Sequence, residues 1–165
     1  MGIYWRTMSK IIYKKMSLFS APKGSFLAHG CNCQGIWGSG IAKEFKERFP
    51  TSLEEYSDYC KDRKFRPSAL GYSSITSENI ICLMTSNSYG RFVDKPHEIL
   101  VNTTLALQCL IYDLTDLMKQ DITIYSNKFN SGLFNVPWEQ TEYALNRVIQ
   151  DYPIIKNWII CDPSM

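Results

Sequence analysis

Apolar runs are short in this sequence. None approaches the ~18 residues that a membrane-spanning helix requires, so no such helix is expected. Charge of one sign is scarce too: 18 Lys and Arg stand against 16 Asp and Glu, a formal net charge of +2. The basic residues are scattered, which gives little support to broad phosphate-backbone binding, and no nucleic-acid partner is expected. Histidine occurs only twice, at His29 and His97. Cys31 and Cys33 have no second Cys/His pair at zinc spacing, so neither a metal nor another cofactor is expected. A carboxylate cluster suited to Mg²⁺ is also missing, so phosphoryl chemistry would have to rely on positioning and backbone dipoles. Repeats, low-complexity tracts and linkers are absent. Residues 8–165 read as one domain behind a short extension, 1–7, with Met8 as a plausible true start.

What is present has an ordinary globular balance, 45% hydrophobic and 21% charged, with 6 cysteines. Cys60, Cys82, Cys109 and Cys161 sit in apolar or mixed runs, where cysteine behaves as a small hydrophobe. Reduced thiols fit a cytoplasmic protein, or in a nucleated cell also a nuclear one. Short apolar stretches at 11–13, 25–29, 70–75, 79–85, 121–125 and 156–161 read as strands. Helical spacing marks 40–49, 51–64, 94–119 and 138–150, the second opening on a Thr51/Glu54 capping box. Strands alternating with helices predict an α/β fold with a largely parallel sheet.

One stretch is poor in ordinary core and surface residues. HGCNCQGIWGSGIA, 29–42, holds four of the nine glycines between a strand and a helix. A glycine-rich turn into a helix N-terminus exposes N–H groups and a positive dipole end, which suit phosphate. Its spacing is neither a P-loop nor a dinucleotide fingerprint. A second stretch, NSGLFNVPWEQ at 130–140, also follows a strand and precedes a helix. Two such loops at one sheet edge could grip a diphosphate, with Trp37 and Phe134 offering flat faces to a ribose or base. His29, at the end of its strand, is the candidate acid or water-orienting group. Ser86, Ser88 and Asp94, in the polar segment 85–98, are weaker candidates for positioning water, and His97 reads as part of a helix start.

Together the two loops resemble the macrodomain family, and within it the small ADP-ribose 1″-phosphate phosphatases. The resemblance implies a three-layer α/β/α sandwich over 8–165, a monomer, and a small-molecule nucleotide as ligand. It implies contacts to the distal ribose from Asn32 and Phe134. Gly38, Ser39, Gly40 and Ile41 would lie on the diphosphate side, with Asn130, Ser131, Gly132, Leu133 and Asn135 completing the second phosphate loop. Where the family places an adenine-binding acid, this chain has Ser17, which can hydrogen-bond but supplies no carboxylate. The implied activity is removal of the terminal phosphate from ADP-ribose 1″-phosphate. One alternative is a non-catalytic reader or sequestering module for ADP-ribose or a related nucleotide. The other is an ADP-ribosyl hydrolase, against which Ser86 and Phe134 stand where that branch has its lysine and aspartate.

Overall fold

The structure is a computed structural model that describes residues 9–63 and 68–165. The expected extension at 1–7, the start at Met8 and the end of the second helix at Lys64 lie outside those residues. Six strands and four α-helices follow one another as β1 (Ile11–Lys14), β2 (Phe26–Asn32), α1 (Ile41–Arg48), α2 (Pro50–Asp62), β3 (Ser73–Ile75), β4 (Ile80–Ser86), α3 (Pro96–Asp116), β5 (Ile122–Ser126), α4 (Trp138–Ile149) and β6 (Ile155–Cys161). The sheet order is β1-β6-β5-β2-β4-β3. All neighbours are parallel except β3, which pairs antiparallel with β4 at one edge.

Strand alternation divides the core into two layers of packing. Ala28, Ile81, Leu83, Ile124, Trp158 and Ile160 face α3 and α4. Leu27, Cys31, Ile80, Cys82, Met84 and Ile159 face α1 and α2. Every residue of β4 is buried, as expected for a strand covered on both sides. The protein is therefore the three-layer α/β/α sandwich the sequence predicts, with a mixed, largely parallel sheet.

One local expectation fails. Thr51 does not cap the second helix, because Pro50 already occupies its first turn and Phe49 is the N-cap. The unpaired N–H of Ser52 donates instead to Glu78 Oε1 at 3.0 Å, and the Ser52 hydroxyl donates to the same oxygen at 2.8 Å. A carboxylate from the β3–β4 turn thus does the work assigned to Glu54, a long-range cap that local spacing cannot reveal.

Candidate functional site

At the carboxyl ends of β2, β4 and β5 lies a cleft of about 620 Å³, within the range of small-molecule sites. Its walls are residues 38–42 after β2, Tyr89 and Gly90 after β4, and Asn127 with residues 132–134 after β5. None of the lining residues is Asp, Glu, Lys, Arg or His. The loops meet across the opening: a Cβ on Gly40 would sit 3.6 Å from Leu133 Cδ1.

Backbone donors replace the missing cations. Gly40 caps α1 at φ 60° and ψ −143°, a conformation reserved for glycine; the Lys43 N–H donates to Gly40 O at 3.2 Å, and the N–H groups of Ile41 and Ala42 have no intrahelical acceptor. In the second loop, Asn135 N–H donates to Gly132 O at 3.0 Å and Val136 N–H to Asn130 O at 2.9 Å. Those bonds leave the N–H groups of Gly132, Leu133 and Phe134 without an acceptor among the described residues. Two sets of unspent donors, one of them at a helix N-terminus, around an uncharged cleft make a site for an anion.

Buried polar side chains hold both loops in shape. Asn32 Nδ2 donates to Ile36 O at 2.8 Å, and its Oδ1 accepts from Gln34 N–H at 2.9 Å and from the Tyr56 hydroxyl at 3.0 Å. Tyr56 also donates to Asn32 O at 2.6 Å, and burial pushes its pKa well above the ordinary tyrosine value. Asn130, at φ 67°, is the hub of the second loop. Its Oδ1 accepts from Thr85 at 2.8 Å, and its Nδ2 donates to Thr103 at 2.9 Å. Thr85 is the extra residue of a bulge in the β2–β4 register, which turns its hydroxyl to that asparagine. Gly30 must lack a Cβ here, since one would meet Asn130 Oδ1 at 2.9 Å.

The sequence-predicted residues divide accordingly. Gly38, Ser39, Gly40, Ile41, Gly132, Leu133 and Phe134 come together in the cleft, as do Asn32, Trp37 and Asn130. The last three nevertheless face inward. Both amides are spent on the loops, and Trp37 is buried against Tyr56 with ring centroids 5.1 Å apart rather than exposed as a flat platform. Ser131 and Asn135 shape their loop without lining the cleft: the Ser131 hydroxyl donates to Lys128 O, and Asn135 holds φ 60°. Ser17 accepts from Phe19 N–H at 3.2 Å and is not part of the lining.

His29 is the principal correction. Strand alternation turns its side chain away from the cleft and into the α1–α2 layer, where it is fully buried. The ring stacks on Phe45 at 4.0 Å and meets the edge of Trp37 at 5.0 Å. An imidazole packed in this way does not reach a ligand in the cleft. Ser86, Ser88 and Asp94 brace their own loop: Ser86 donates to Ser88 O at 2.7 Å, and Asp94 Oδ2 accepts from Asn87 N–H at 2.8 Å. His97 lies in the first turn of α3, as expected. Cys33 and Cys60 are held inert, with burial pushing both thiols up to about 12. Tyr89 and Gly90 lie in the polar segment 85–98 but were not singled out there, and Asn127 was missed, although it follows a strand predicted to end at this edge. A second cavity, about 420 Å³ and including Phe19, Lys23, Arg48 and Glu78, lies by the amino ends of β2 and β4, away from these loops.

Comparison with known proteins places this geometry. Residues 28–85 match the Macro domain family. The ADP-ribose 1″-phosphate phosphatase of Meyerozyma guilliermondii is 38% identical, aligned over 85% of this chain and 94% of its own length. The chain belongs to the macrodomain family. The enzyme of the same name from Candida albicans is also 38% identical, over 82% of this macrodomain and 91% of the relative. Among solved structures, the macrodomain of Mycobacterium tuberculosis DarG superposes with a TM-score of 0.75 at 23% identity, covering 94% of this chain and 99% of that one. Thermosipho africanus DarTG, solved with ADP-ribose, gives 0.72 at 14% identity, covering 97% of this chain and 43% of that one.

Proposed function

We propose that this macrodomain binds ADP-ribose 1″-phosphate and hydrolyses it to ADP-ribose and inorganic phosphate. The observation that carries the reading is the pair of loops with unspent N–H donors facing each other across an uncharged cleft. Relatives named for that activity support the choice of substrate. The diphosphate would lie along residues 38–42 and the α1 N-terminus, with Phe134 beside the distal ribose. Residues 132–134 and Tyr89 would flank the terminal phosphate.

In the reaction, water attacks phosphorus, the P–O bond to the distal ribose breaks, and a proton from water ends on the ribose oxygen. Loop N–H groups stabilise the charge that builds on the phosphoryl oxygens. The lining has no carboxylate, imidazole or amine to move protons. Proton transfer therefore falls to solvent, and turnover is slow. The protein acts as a monomer in the cytoplasm, where its thiols stay reduced. With Ser17 where the family has its adenine-binding acid, no carboxylate would hold the base, which would be loosely read.

The test is phosphate release from ADP-ribose 1″-phosphate by the purified protein, alongside calorimetric titration of ADP-ribose. Multiple turnovers support the phosphatase. Tight binding of ADP-ribose without turnover would establish instead a reader or sequestering module, the second reading that the cleft's lack of acid–base groups favours. Failure to bind either nucleotide would reject both.

A further inference from the structure

The cleft leaves one buried group without a role. The His29 imidazole is fully buried, yet no oxygen or nitrogen of the described residues hydrogen-bonds it. Nearly all buried polar side chains find such a partner, and thiols are weak substitutes. Its polar neighbours are sulfur. Cys31 Sγ lies 3.4 Å from Nε2 and 3.7 Å from Nδ1, and Cys82 is the residue paired with His29 in the β2–β4 register. The three donor atoms lie within 4.8 Å of one another, in residues at most 2% exposed.

We infer that His29, Cys31 and Cys82 form a binding site for one thiophilic d¹⁰ cation, Zn²⁺ above all, beneath the floor of the cleft. Ligand type argues for it: thiolate and imidazole donors select zinc and cuprous ions over oxygen-seeking Mg²⁺ or Ca²⁺. Separation agrees as well. Metal–sulfur and metal–nitrogen bonds of ~2.3 and ~2.0 Å at a tetrahedral angle put nitrogen and sulfur about 3.5 Å apart. Charge argues for zinc in particular, because two thiolates cancel a divalent ion and leave a neutral core, whereas a cuprous ion would leave a net negative charge. Each bound ion releases two thiol protons to solvent.

A disulfide is the competing use of two neighbouring cysteines, and strand geometry opposes it. Cys31 sits two residues beyond the partner of Cys82. Strand spacing and rise then put their Cα atoms about 8 Å apart, beyond the ~7 Å that a disulfide spans. A metal tolerates that separation. Met84, fully buried and paired with Cys31, stands on the same face. The near-equal reach of the two ring nitrogens places Cys31 Sγ over the ring face, so loading turns the imidazole about its Cβ–Cγ bond. Stacking on Phe45 opposes that turn, and no hydrogen bond to oxygen or nitrogen does.

The experiment strips the full chain with a chelator and titrates it with Co²⁺ as a spectroscopic probe, then displaces the probe with Zn²⁺ or, anaerobically, Cu⁺. The expected result is one Co²⁺ per chain, with tetrahedral ligand-field bands and near-ultraviolet absorption of two thiolate ligands. Zn²⁺ should displace it and raise Tm. Cys82→Ala and Cys31→Ser should weaken binding at least tenfold, while Cys33→Ala and Cys60→Ala keep one equivalent. The wild-type spectrum needs no variant to fold, and circular dichroism checks those that are used. Absence of the bands in the wild type, or their persistence in Cys82→Ala, overturns the site; displacement by Cu⁺ but not Zn²⁺ overturns the assignment to zinc. None of these readings depends on phosphatase activity.

Discussion

Asn32 shows how a residue can sit in a binding loop and still be structural. Its amide is satisfied by Ile36, Gln34 and Tyr56, so its side chain fixes the turn that presents residues 38–42. The Tyr56 hydroxyl is the far end of that brace and donates twice to Asn32. Tyr56→Phe removes both bonds and leaves the buried Asn32 carbonyl with only the weak Cys60 thiol donor at 4.0 Å. A loss of about 1–3 kcal/mol in urea denaturation is expected, with weaker nucleotide binding by calorimetry. Asp162 allows a test of pH dependence. Hydrogen bonds from the Ser164 hydroxyl and backbone, and then from Lys128, hold its carboxyl down to about 2. A depressed carboxylate contributes stability that is full above its unfolded pKa of ~3.9 and disappears as pH falls through about 2. The Ser164 amide signal followed by NMR should therefore shift with a midpoint near 2, and a midpoint near 4 would show that the contact is absent in solution.

Among the elements, α1 depends on Gly40 more than on its own sequence. That residue caps the helix at φ 60° without a side-chain hydrogen bond, and it lies under Leu133. Gly40→Ala is expected to cost roughly 1–3 kcal/mol in backbone strain. Because the strain is stored in the cleft wall, ADP-ribose affinity should drop at least tenfold in calorimetry while circular dichroism keeps the native helix content. An unchanged affinity would mean that the α1 N-terminus does not face the ligand. The start of α2 shows the opposite dependence. Thr51 and Glu54 have the spacing of a capping box, but Pro50 extends the helix past them and Glu78 reaches in from a turn 26 residues away to take the Ser52 N–H. Local spacing reads a helix start correctly only when nothing distant competes for the donor.

Across the whole molecule, His29 separates structure from chemistry. Its place at the end of the strand expected at 25–29 made it a candidate acid, yet it lies in the middle of β2, packed between Phe45, Trp37 and two cysteines. His29→Ala is expected to cost about 2–4 kcal/mol in denaturation, the range for emptying a buried site. Phosphate release per folded molecule should stay at the wild-type kcat. A kcat loss of a hundredfold or more in protein shown to be folded would return the imidazole to the reaction.

By itself the sequence determined the α/β class, every strand and helix to within a few residues, and the two glycine-bearing loops. Hydrophobic periodicity and Gly/Pro punctuation are local signals, and the loops carry their chemistry in backbone N–H groups that glycine exposes. Only the tertiary structure decided which side chains face the ligand. A strand turns successive residues to opposite faces, and which face meets the cleft depends on how its neighbours pack. That packing buried Trp37 and His29, spent Asn32 and Asn130 on their own loops, and brought in Tyr89, Gly90 and Asn127 from separate strand ends. It also set Cys82 beside His29 and Cys31, across 51 residues of chain, where no spacing rule joins them.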